Sequence, residues 1–599
     1  MSSANRGNLL DRIERLGNKL PEPALIFVIL AAVVIVVAAV GDLAGWSVQP
    51  VTPKPVLVDQ VDATGAVQKV VQLSASGKPE IVLEKTGAPI EPRSLLTADG
   101  VYWALSSMLR NFTALPALGL IFVAMLGIGL AEKFGFFGAL MRALAFVTPK
   151  RFLTPVIVLI GANASVASDA GYIILPPLAA ALYLAVGRHP VAGLAAAFAG
   201  VAGGFGGGFF PTGGDGALTG FAQDAARIID PFYTVTILHN AYFKAASALV
   251  VMVFGWLVTD LLVEPRLLRQ RAERASEPDA VSADLSAPLT EMALTPVERR
   301  GLIYAVAAGV AVLGLFATLI FVPGLPLHGV GQPSLADGRV IVQHPVDLLP
   351  PNTEAEVPKH DILSKQPLTV VERPTRGRLS ESPGDRWSHV IVPIIFFAFL
   401  IPGMVYGRVT GTLRTQADFI EGLYHGIRSI VPVLAIAFFM GQFVNYFAYT
   451  RLDQILAYSG GSLLVSADLP VPVLVTLFVL VVVLGDFALS GMLSKFGVMA
   501  PIFIPMFMMV GISPELTTAA YRIGDSVVNI ITPLNSYLLI ILVVLQKYQR
   551  NAGLGSLMAL MLPYSVVLFV AWTGFLLLWY LTGADLGPDA PLFFTPPHS

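Results

Sequence analysis

The sequence has no cysteine and few charged residues. Asp, Glu, Lys and Arg together make up 13% of its 599 residues, against roughly 25% in ordinary soluble domains. The lack of cysteine excludes disulfide bonds, thiolate metal sites and cysteine nucleophiles. The net charge of -2 provides no overall field to recruit nucleic acid or an anionic surface. Hydrophobic residues reach 55% and the mean hydropathy is +0.72, so we predict an integral membrane protein.

Apolar windows long enough to cross a bilayer as helices recur along the chain. Nine are found, near 20–41, 115–132, 240–262, 301–322, 388–405, 429–448, 470–488, 526–546 and 556–581. Two further apolar regions, 152–210 and 490–525, are interrupted by Pro, Gly and polar residues. Such interruptions are typical of broken helices or re-entrant hairpins, which are tolerated where protein or water covers the backbone. The predicted fold class is all-α.

Basic residues near the ends of the windows predict the orientation in the membrane. Lys and Arg cluster before the first window and after the second and third, so the N-terminus is predicted to be cytoplasmic. The tail after Leu581 has neither Lys nor Arg and is predicted to be extracytoplasmic. The polar insertions 42–98 and 324–386 then also lie outside, as small strands or irregular caps. Segment 263–300 reads as a cytoplasmic linker.

An internal repeat is the strongest pattern in the sequence. "PLAAALYLAVGRHPVAGLAAAFAG" at 177–200 aligns without gaps on "PIFIPMFMMVGISPELTTAAYRIG" at 501–524, with the same Gly-x-x-Pro turn. Duplicated, interrupted apolar segments indicate a secondary transporter whose binding site lies between the repeats. We therefore divide the chain into scaffold and transport core, with boundaries at 1–151 (scaffold), 152–239 (first hairpin repeat), 240–428 (scaffold), 429–546 (second repeat, hairpin 490–525) and 547–599 (last span and tail).

The second repeat ends in "AAYRIGDSVVNIITP", which places charges in an apolar segment. Arg522, Asp525, Asn529 and Thr532 are spaced to share one face of a helix. Burying charge in a bilayer is costly, so these side chains should face a cavity or a partner. Arg522 and Asp525 could simply neutralise each other, but Asn529 and the carbonyl freed by Pro533 favour a lined cavity.

A second candidate site surrounds Asp169 in "NASVASDAGY". Asn163, Ser165 and Ser168 supply amide and hydroxyl oxygens beside this carboxylate, a set that suits a monovalent cation or a proton. The alternative is that Asp169 caps a helix. Asp486, at the end of an apolar run, could likewise titrate or cap the next helix.

Two patterns typical of enzymes are not fulfilled. The glycine-rich run 200–214 lacks the Lys-Ser or Lys-Thr of a phosphate loop, so close backbone packing or an unwound hairpin tip is expected there. The eight histidines have no metal-ligand spacing. We predict no catalytic residues, no metal and no cofactor beyond a coupling ion.

Several ordered segments resemble one known family. "VASDAGY", "GRHPVAGLAAAFAGV", "DPFYTV", "EPRL" and "AYRIGDSVVNIITP" are similar to the AbgT family of p-aminobenzoyl-glutamate transporters, over Gly17 to beyond Leu581. The resemblance implies a homodimer whose protomers have nine spans and two re-entrant hairpins in an inverted repeat. It implies transport of p-aminobenzoyl-glutamate and, for some members, proton-driven export of sulfonamide antimetabolites.

The family's transport positions carry over to five residues here, namely Asp169, Arg522, Asp525, Pro514 and Pro533. Three positions depart: Phe496 replaces a tryptophan, Leu493 a serine and Asp486 an asparagine. Phe496 keeps an aromatic face for an aminobenzoyl ring. The exact substrate therefore stays open.

We predict a secondary transporter of the bacterial cytoplasmic membrane that works by alternating access. Arg522 would bind a substrate carboxylate and Phe496 would stack on the aromatic ring, with Pro514, Pro533, Asn529 and Ser168 nearby. Asp169, Asp525 and Asp486, with Asn163 and Ser165, would bind the driving H⁺ or Na⁺. The predicted partners are a small aromatic carboxylate, lipid and a second copy of the chain. An importer of another dicarboxylate, a channel and a membrane-embedded enzyme are the alternatives.

Overall fold

The computed structural model is built mainly from helices. It describes residues 23–61, 67–72, 80–113, 116–167, 170–231, 233–274, 293–328, 339–345, 356–360, 367–374, 390–467, 469–487, 489, 491–532, 534–535 and 537–596. The helices are α1 (Pro23–Leu43), α2 (Ala98–Thr113), α3 (Pro116–Lys133), α4 (Phe136–Val147), α5 (Leu153–Asn163), α6 (Ala170–Ala185), α7 (Pro190–Val201), α8 (Gly213–Ala226), α9 (Ala241–Val258), α10 (Glu264–Arg274), α11 (Pro296–Phe321), α12 (Ile391–Thr410), α13 (Gln416–Tyr449), α14 (Leu452–Ala467), α15 (Val471–Gly485), α16 (Met492–Met509), α17 (Pro514–Asn529), α18 (Tyr537–Tyr548) and α19 (Leu554–Thr582).

Short strands occupy the two polar insertions, as the sequence predicts. The first insertion contains β1 (Val51–Pro55), β2 (Leu57–Val61), β3 (Val67–Val71) and β4 (Ile81–Lys85), with β1 antiparallel to β4 and β2 antiparallel to β3. The second contains β5 (Arg339–Pro345), β6 (Glu356–His360) and β7 (Pro367–Pro374), in the order β5-β7-β6.

Among the described residues, six helices are long and apolar enough to cross a membrane. A seventh candidate is the pair α3 and α4, which is bent by 64°. The nine spans expected from hydropathy remain a prediction. One window is wrong as a single helix: within 526–546, α17 ends at Asn529 and α18 begins at Tyr537. The interruption includes Thr532 and Asn535, where the Asn535 N–H donates to the Thr532 carbonyl at 3.2 Å, although apolar residues continue on both sides.

The two repeated segments adopt the same local structure. Gly187 and Gly511 have φ of +82° and +80°, a left-handed conformation that glycine adopts without a steric penalty. Pro190 and Pro514 then occupy the first turns of α7 and α17, where a missing N–H costs nothing.

The helix that follows each turn packs tightly on an earlier helix of the same repeat. A Cβ on Gly200 would lie 2.5 Å from the Val158 carbonyl oxygen, and one on Gly524 would lie 2.7 Å from the Val482 Cβ. Val158 and Val482 are separated by the same 324 positions as Gly200 and Gly524. The correspondence therefore extends to α5 and α15, beyond the segment in which the sequence revealed it.

The glycine-rich run after α7 brings the two repeats into contact. The Gly206 N–H donates to Ser526 Oγ on α17 at 2.7 Å, and a Cβ on Gly206 would lie 2.7 Å from the Arg522 carbonyl oxygen. The close backbone packing predicted for this run is confirmed.

The two hairpin turns are anchored in different ways. Arg188, in the α6–α7 turn, forms ion pairs with Asp260 and Glu264 on the helical segment that follows α9. The α16–α17 turn is held by residues 583–596, which we term the C-terminal strap. The Phe594 N–H donates to the Gly511 carbonyl at 2.9 Å, and the Ser513 N–H donates to the Leu592 carbonyl at 3.2 Å.

Candidate functional site

Helix α17 carries charged residues and is enclosed along almost its whole length. Ser513 caps it by accepting a hydrogen bond from the Leu516 N–H at 3.0 Å, and every residue from Pro514 to Val528 is buried. Buried charges in such an element need partners. In the structure, the charged residues of α17 find these partners in two separate clusters of side chains.

The first group, which we term the Arg522 cluster, joins α17 to α8 and α9. Arg522 Nη2 lies 2.7 Å from Asp215 Oδ1, and Lys244 Nζ lies 2.6 Å from Asp215 Oδ2. Arg522 Nε also donates to Asn240 Oδ1 at 3.1 Å. The three charged side chains are 3–5% exposed. One carboxylate is thus shared by two cations, which leaves the cluster with one excess positive charge.

Helix capping places Asp215 in this cluster. Asp215 is the third residue of α8, where Asp215 Oδ2 accepts hydrogen bonds from the Thr212 N–H at 2.6 Å and the Thr212 hydroxyl at 2.8 Å. This is a capping box, which fixes the carboxylate at the N-terminus of the helix. Lys244 lies in the first turn of α9 and also donates to the Phe210 carbonyl at 2.8 Å.

A small cavity of about 40 Å³ borders the Arg522 cluster. Its wall includes the cluster itself and the loop just before α8, with the lining residues Gly208, Phe209, Phe210, Pro211, Asp215, Ile237, Leu238, Asn240, Ala241, Lys244 and Arg522. One water needs at least about 10–15 Å³ of such volume, so the cavity has room for a few waters. It is too small for an organic molecule of drug size, since such ligands occupy pockets of roughly 300–1,000 Å³.

The second group, which we term the Lys495 cluster, joins α17 to α16 and the end of α15. Lys495 Nζ lies 2.6 Å from Asp525 Oδ1 and also forms an ion pair with Asp486. All three side chains are at most 1% exposed. Two carboxylates share one ammonium, so the cluster has one excess negative charge.

The structure corrects the one-face interpretation of α17. Arg522 and Asp525 do not neutralise each other, since each is paired with a different cluster. Asn529 Nδ2 is 3.5 Å from Asp525 Oδ2 and belongs with the second group. Thr532 lies beyond the end of the helix, where its hydroxyl donates to the Asp486 carbonyl at 3.2 Å. Asp486 does not cap the next helix, because α16 has no side-chain cap.

Other predicted site residues lie at varying distances from these clusters. Phe496 is fully buried against Tyr521, with ring centroids 4.6 Å apart, and is not among the residues that line the cavity. Asn163 accepts a hydrogen bond from the Phe209 N–H at 2.8 Å and so supports the cavity wall. Ser165 lies on the short 3₁₀ turn that follows α5. Pro514 starts α17 at the opposite end from Asn529.

Three predicted site residues, Ser168, Asp169 and Pro533, lie outside the described residues. Leu493, one of the departures from the family pattern, is partly buried in the first turn of α16. The transport roles assigned to all these positions stay predictions.

Sequence reasoning missed Asp215, Lys244, Asn240 and Lys495. Lys244 and Lys495 carried a usable signal, because each is a charge inside an apolar segment, Lys244 within 240–262 and Lys495 within 490–525. Asp215 and Asn240 carried none, since each stands in a short polar stretch that resembles a loop. Only the folded structure shows that they belong to the site, because each contacts Arg522, which lies about 280–310 residues further along the chain.

Comparison with known proteins places the chain among transporters. The model of the AbgT transporter family matches residues 8–337 and 366–594. The p-aminobenzoyl-glutamate transport protein of Escherichia coli (strain K12) is 30% identical over 589 residues, which cover 98% of this chain and 97% of that protein.

Two solved structures are similar over nearly their full length. The crystal structure of the Alcanivorax borkumensis YdaH transporter aligns with a TM-score of 0.73 and 31% identity, covering 95% of this chain and 100% of that one. The Neisseria gonorrhoeae MtrF structure, described within a class of antimetabolite efflux pumps, aligns with a TM-score of 0.72 and 33% identity. It covers 96% of this chain and 97% of that one.

Proposed function

The chain belongs to the AbgT transporter family, and from that premise we propose that it is an ion-coupled secondary transporter of an aromatic carboxylate. The substrate class is p-aminobenzoyl-glutamate or a related carboxylate or sulfonamide antimetabolite, since a 30% identical relative is named for the first and a 33% identical neighbour is described as an antimetabolite pump. The protein would work by alternating access, as a homodimer in the bacterial cytoplasmic membrane, with its N-terminus inside and its C-terminus outside.

The Arg522 cluster is the observation that supports this proposal. A guanidinium forms a planar pair of donors that matches a carboxylate, and the excess positive charge beside the cavity favours one incoming anion. The cluster joins α17 of the second repeat to α8 and α9, as expected for a site between repeats. The small cavity fits a closed conformation, from which movement of the hairpins would open the site to either side.

The coupling ion is proposed to be H⁺ or Na⁺, bound by acidic side chains of the core. Asp486 and Asp525 in the Lys495 cluster are two candidates, because the excess negative charge there favours uptake of one cation. Asp169 is the third, on family resemblance.

Impermeant labelling of single cysteines, introduced into this cysteine-free chain at position 270 or 585, would test the proposed orientation.

Counterflow in proteoliposomes tests the function. Vesicles loaded with unlabelled p-aminobenzoyl-glutamate should accumulate labelled p-aminobenzoyl-glutamate against its gradient, with saturation, and a sulfonamide should compete. An imposed pH or Na⁺ gradient should drive net flux and identify the ion. Conductance without saturation would instead indicate a channel, and preference for a non-aromatic dicarboxylate would indicate the alternative importer.

Arg522→Met should raise the half-saturation concentration for labelled p-aminobenzoyl-glutamate at least about tenfold, because hydrogen bonds to a charged group contribute roughly 1.5–3 kcal/mol. Arg428→Met is the matched control. Arg428 is 64% exposed and pairs with Glu421 on α13, so its loss should leave flux near that of the wild type. Equal effects of the two variants would remove Arg522 from substrate binding.

A further inference from the structure

The two oxygens of Asp215 have unequal roles in the Arg522 cluster. Oδ2 is held by three donors, the Lys244 ammonium and the Thr212 N–H and hydroxyl, at 2.6–2.8 Å. Oδ1 pairs with Arg522 at 2.7 Å. The carboxylate would therefore stay in place if Arg522 moved away, because the capping box and Lys244 hold it independently.

Arg522 has a second anchor as well. Its Nε donates to Asn240 Oδ1 at 3.1 Å, and the Asn240 side-chain amide donates to the Glu515 carbonyl at 2.9 Å. This chain of hydrogen bonds fixes the guanidinium near the cavity wall whether or not Nη2 is bound to Asp215. Both partners of the Arg522–Asp215 contact are thus secured by other groups as well, so the contact can open without releasing either side chain.

We propose that Asp215 is a built-in competitor for the substrate carboxylate: it pairs with Arg522 in the empty site and releases Nη2 when the substrate binds. This inference rests on the proposed function, in which Arg522 receives a carboxylate. A buried guanidinium without a counter-ion is strongly destabilised, so an empty transporter needs a substitute anion at this position. The aspartate carboxylate has the same shape and charge as the substrate carboxylate that would displace it.

The exchange has a consequence for transport. A substrate that must displace Asp215 binds more weakly than it would to a free guanidinium, and Asp215 is in place to recapture Arg522 as the substrate leaves. Differences in affinity at one site appear mainly in the dissociation rate. Asp215 therefore weakens substrate binding and speeds substrate release. Removing its charge should raise the affinity for the substrate and slow its release.

Asp215→Asn tests this, because the amide keeps the shape of the side chain and loses its charge. The dissociation constant for labelled p-aminobenzoyl-glutamate, measured on detergent-purified protein, should fall about tenfold, while the maximum flux in proteoliposomes should also fall. The dimethyl ester of the substrate, which carries no anion, should show the same binding to wild type and variant.

Two matched variants accompany it. Asp224→Asn changes another carboxylate of α8 that is outside the cluster, and its affinity should equal that of the wild type. Asp215→Glu retains the charge and should keep the wild-type affinity more closely than Asp215→Asn does. If Asp215→Asn folds, as judged by size-exclusion and thermal denaturation, and binds the acid more weakly or equally, the competitor role is refuted.

A measurement on the wild type keeps the test decisive if Asp215→Asn does not fold. In protein labelled with ¹³C-aspartate, adding the substrate or benzoate should shift an aspartate carboxylate band in the infrared difference spectrum, and the diester should not. No shift with either acid refutes the exchange. A shift with benzoate but no saturable binding of p-aminobenzoyl-glutamate retains the exchange and refutes the proposed substrate.

Discussion

Lys495 is the only positive charge that the structure places between Asp486 and Asp525 among the residues it describes. Removing one member of a buried ionic group costs far more than the net contribution of the intact group, because the remaining charges stay buried without compensation. Lys495→Met should therefore lower the free energy of unfolding by about 3–5 kcal/mol, measured as a loss of thermal stability in detergent.

The double variant Lys495→Met with Asp486→Asn is the control for that loss. It removes one charge of each sign and leaves a single carboxylate, so it should recover much of the stability lost in the single variant. If both variants melt together, charge imbalance is not the cause and the packing of the lysine stem is.

The residues of the candidate site could be predicted from sequence only where a charged residue interrupts an apolar run. Arg522 and Asp525 were found in this way, and their burial agrees with the prediction. Their partners were not, because an ion pair between residues hundreds of positions apart has no local signature. The spacing of Arg522 and Asp525 made an internal pair plausible, yet Asp215 and Lys495 approach from different elements and separate them.

At the scale of elements, tight helix contacts in the repeats depend on glycine. Gly200→Ala would place a Cβ 2.5 Å from the Val158 carbonyl oxygen, and Gly524→Ala would place one 2.8 Å from the Val479 carbonyl oxygen. Backbone cannot yield as a flexible side chain can, so each variant should lose about 1–3 kcal/mol of stability. Thermal denaturation in detergent measures the loss.

Gly574→Ala in α19 is the matched control. A Cβ there meets no atom within 4 Å, and replacing glycine by alanine inside a helix stabilises by roughly 0.5–1 kcal/mol. It should melt at or slightly above the wild-type temperature. A loss equal to that of the repeat variants would show that the contacts of Gly200 and Gly524 are not responsible.

The same glycines show how far sequence can define elements. The repeat was visible because Gly-x-x-Pro turns recur at one offset, and the turns at Gly187 and Gly511 have matching backbone conformation. The extension to α5 and α15 was not visible, because apolar residues exchange freely there and only the contact geometry is retained. The sequence "TPLN" is typical of a helix end and so indicates that α17 stops near it, but the hydropathy window 526–546 averages over this short polar stretch and runs across it.

At the scale of the whole molecule, composition alone was enough to predict a membrane protein, and family membership now shows a transporter. The C-terminal strap had no such signal, since backbone hydrogen bonds to distant segments leave no pattern in the sequence. It connects α9 to the second repeat: the Leu586 carbonyl accepts hydrogen bonds from the Tyr242 and Phe243 N–H groups of α9, while Ile512 and Phe593 form an antiparallel bridge at the α16–α17 turn.

Ending the chain after Gly583 should therefore destabilise the core and not only shorten a tail. Leu586, Leu592 and Phe594 are at most 2% exposed, and each buried side chain of this size contributes roughly 1.5–3 kcal/mol. The truncated protein should melt several degrees lower in detergent and lose substrate flux. Leu592→Ala should reproduce part of the loss, about 2–5 kcal/mol, whereas Leu581→Ala, at a side chain that is 75% exposed, should have little effect. A truncated chain with wild-type melting and flux would show that the α16–α17 turn holds its position without the strap.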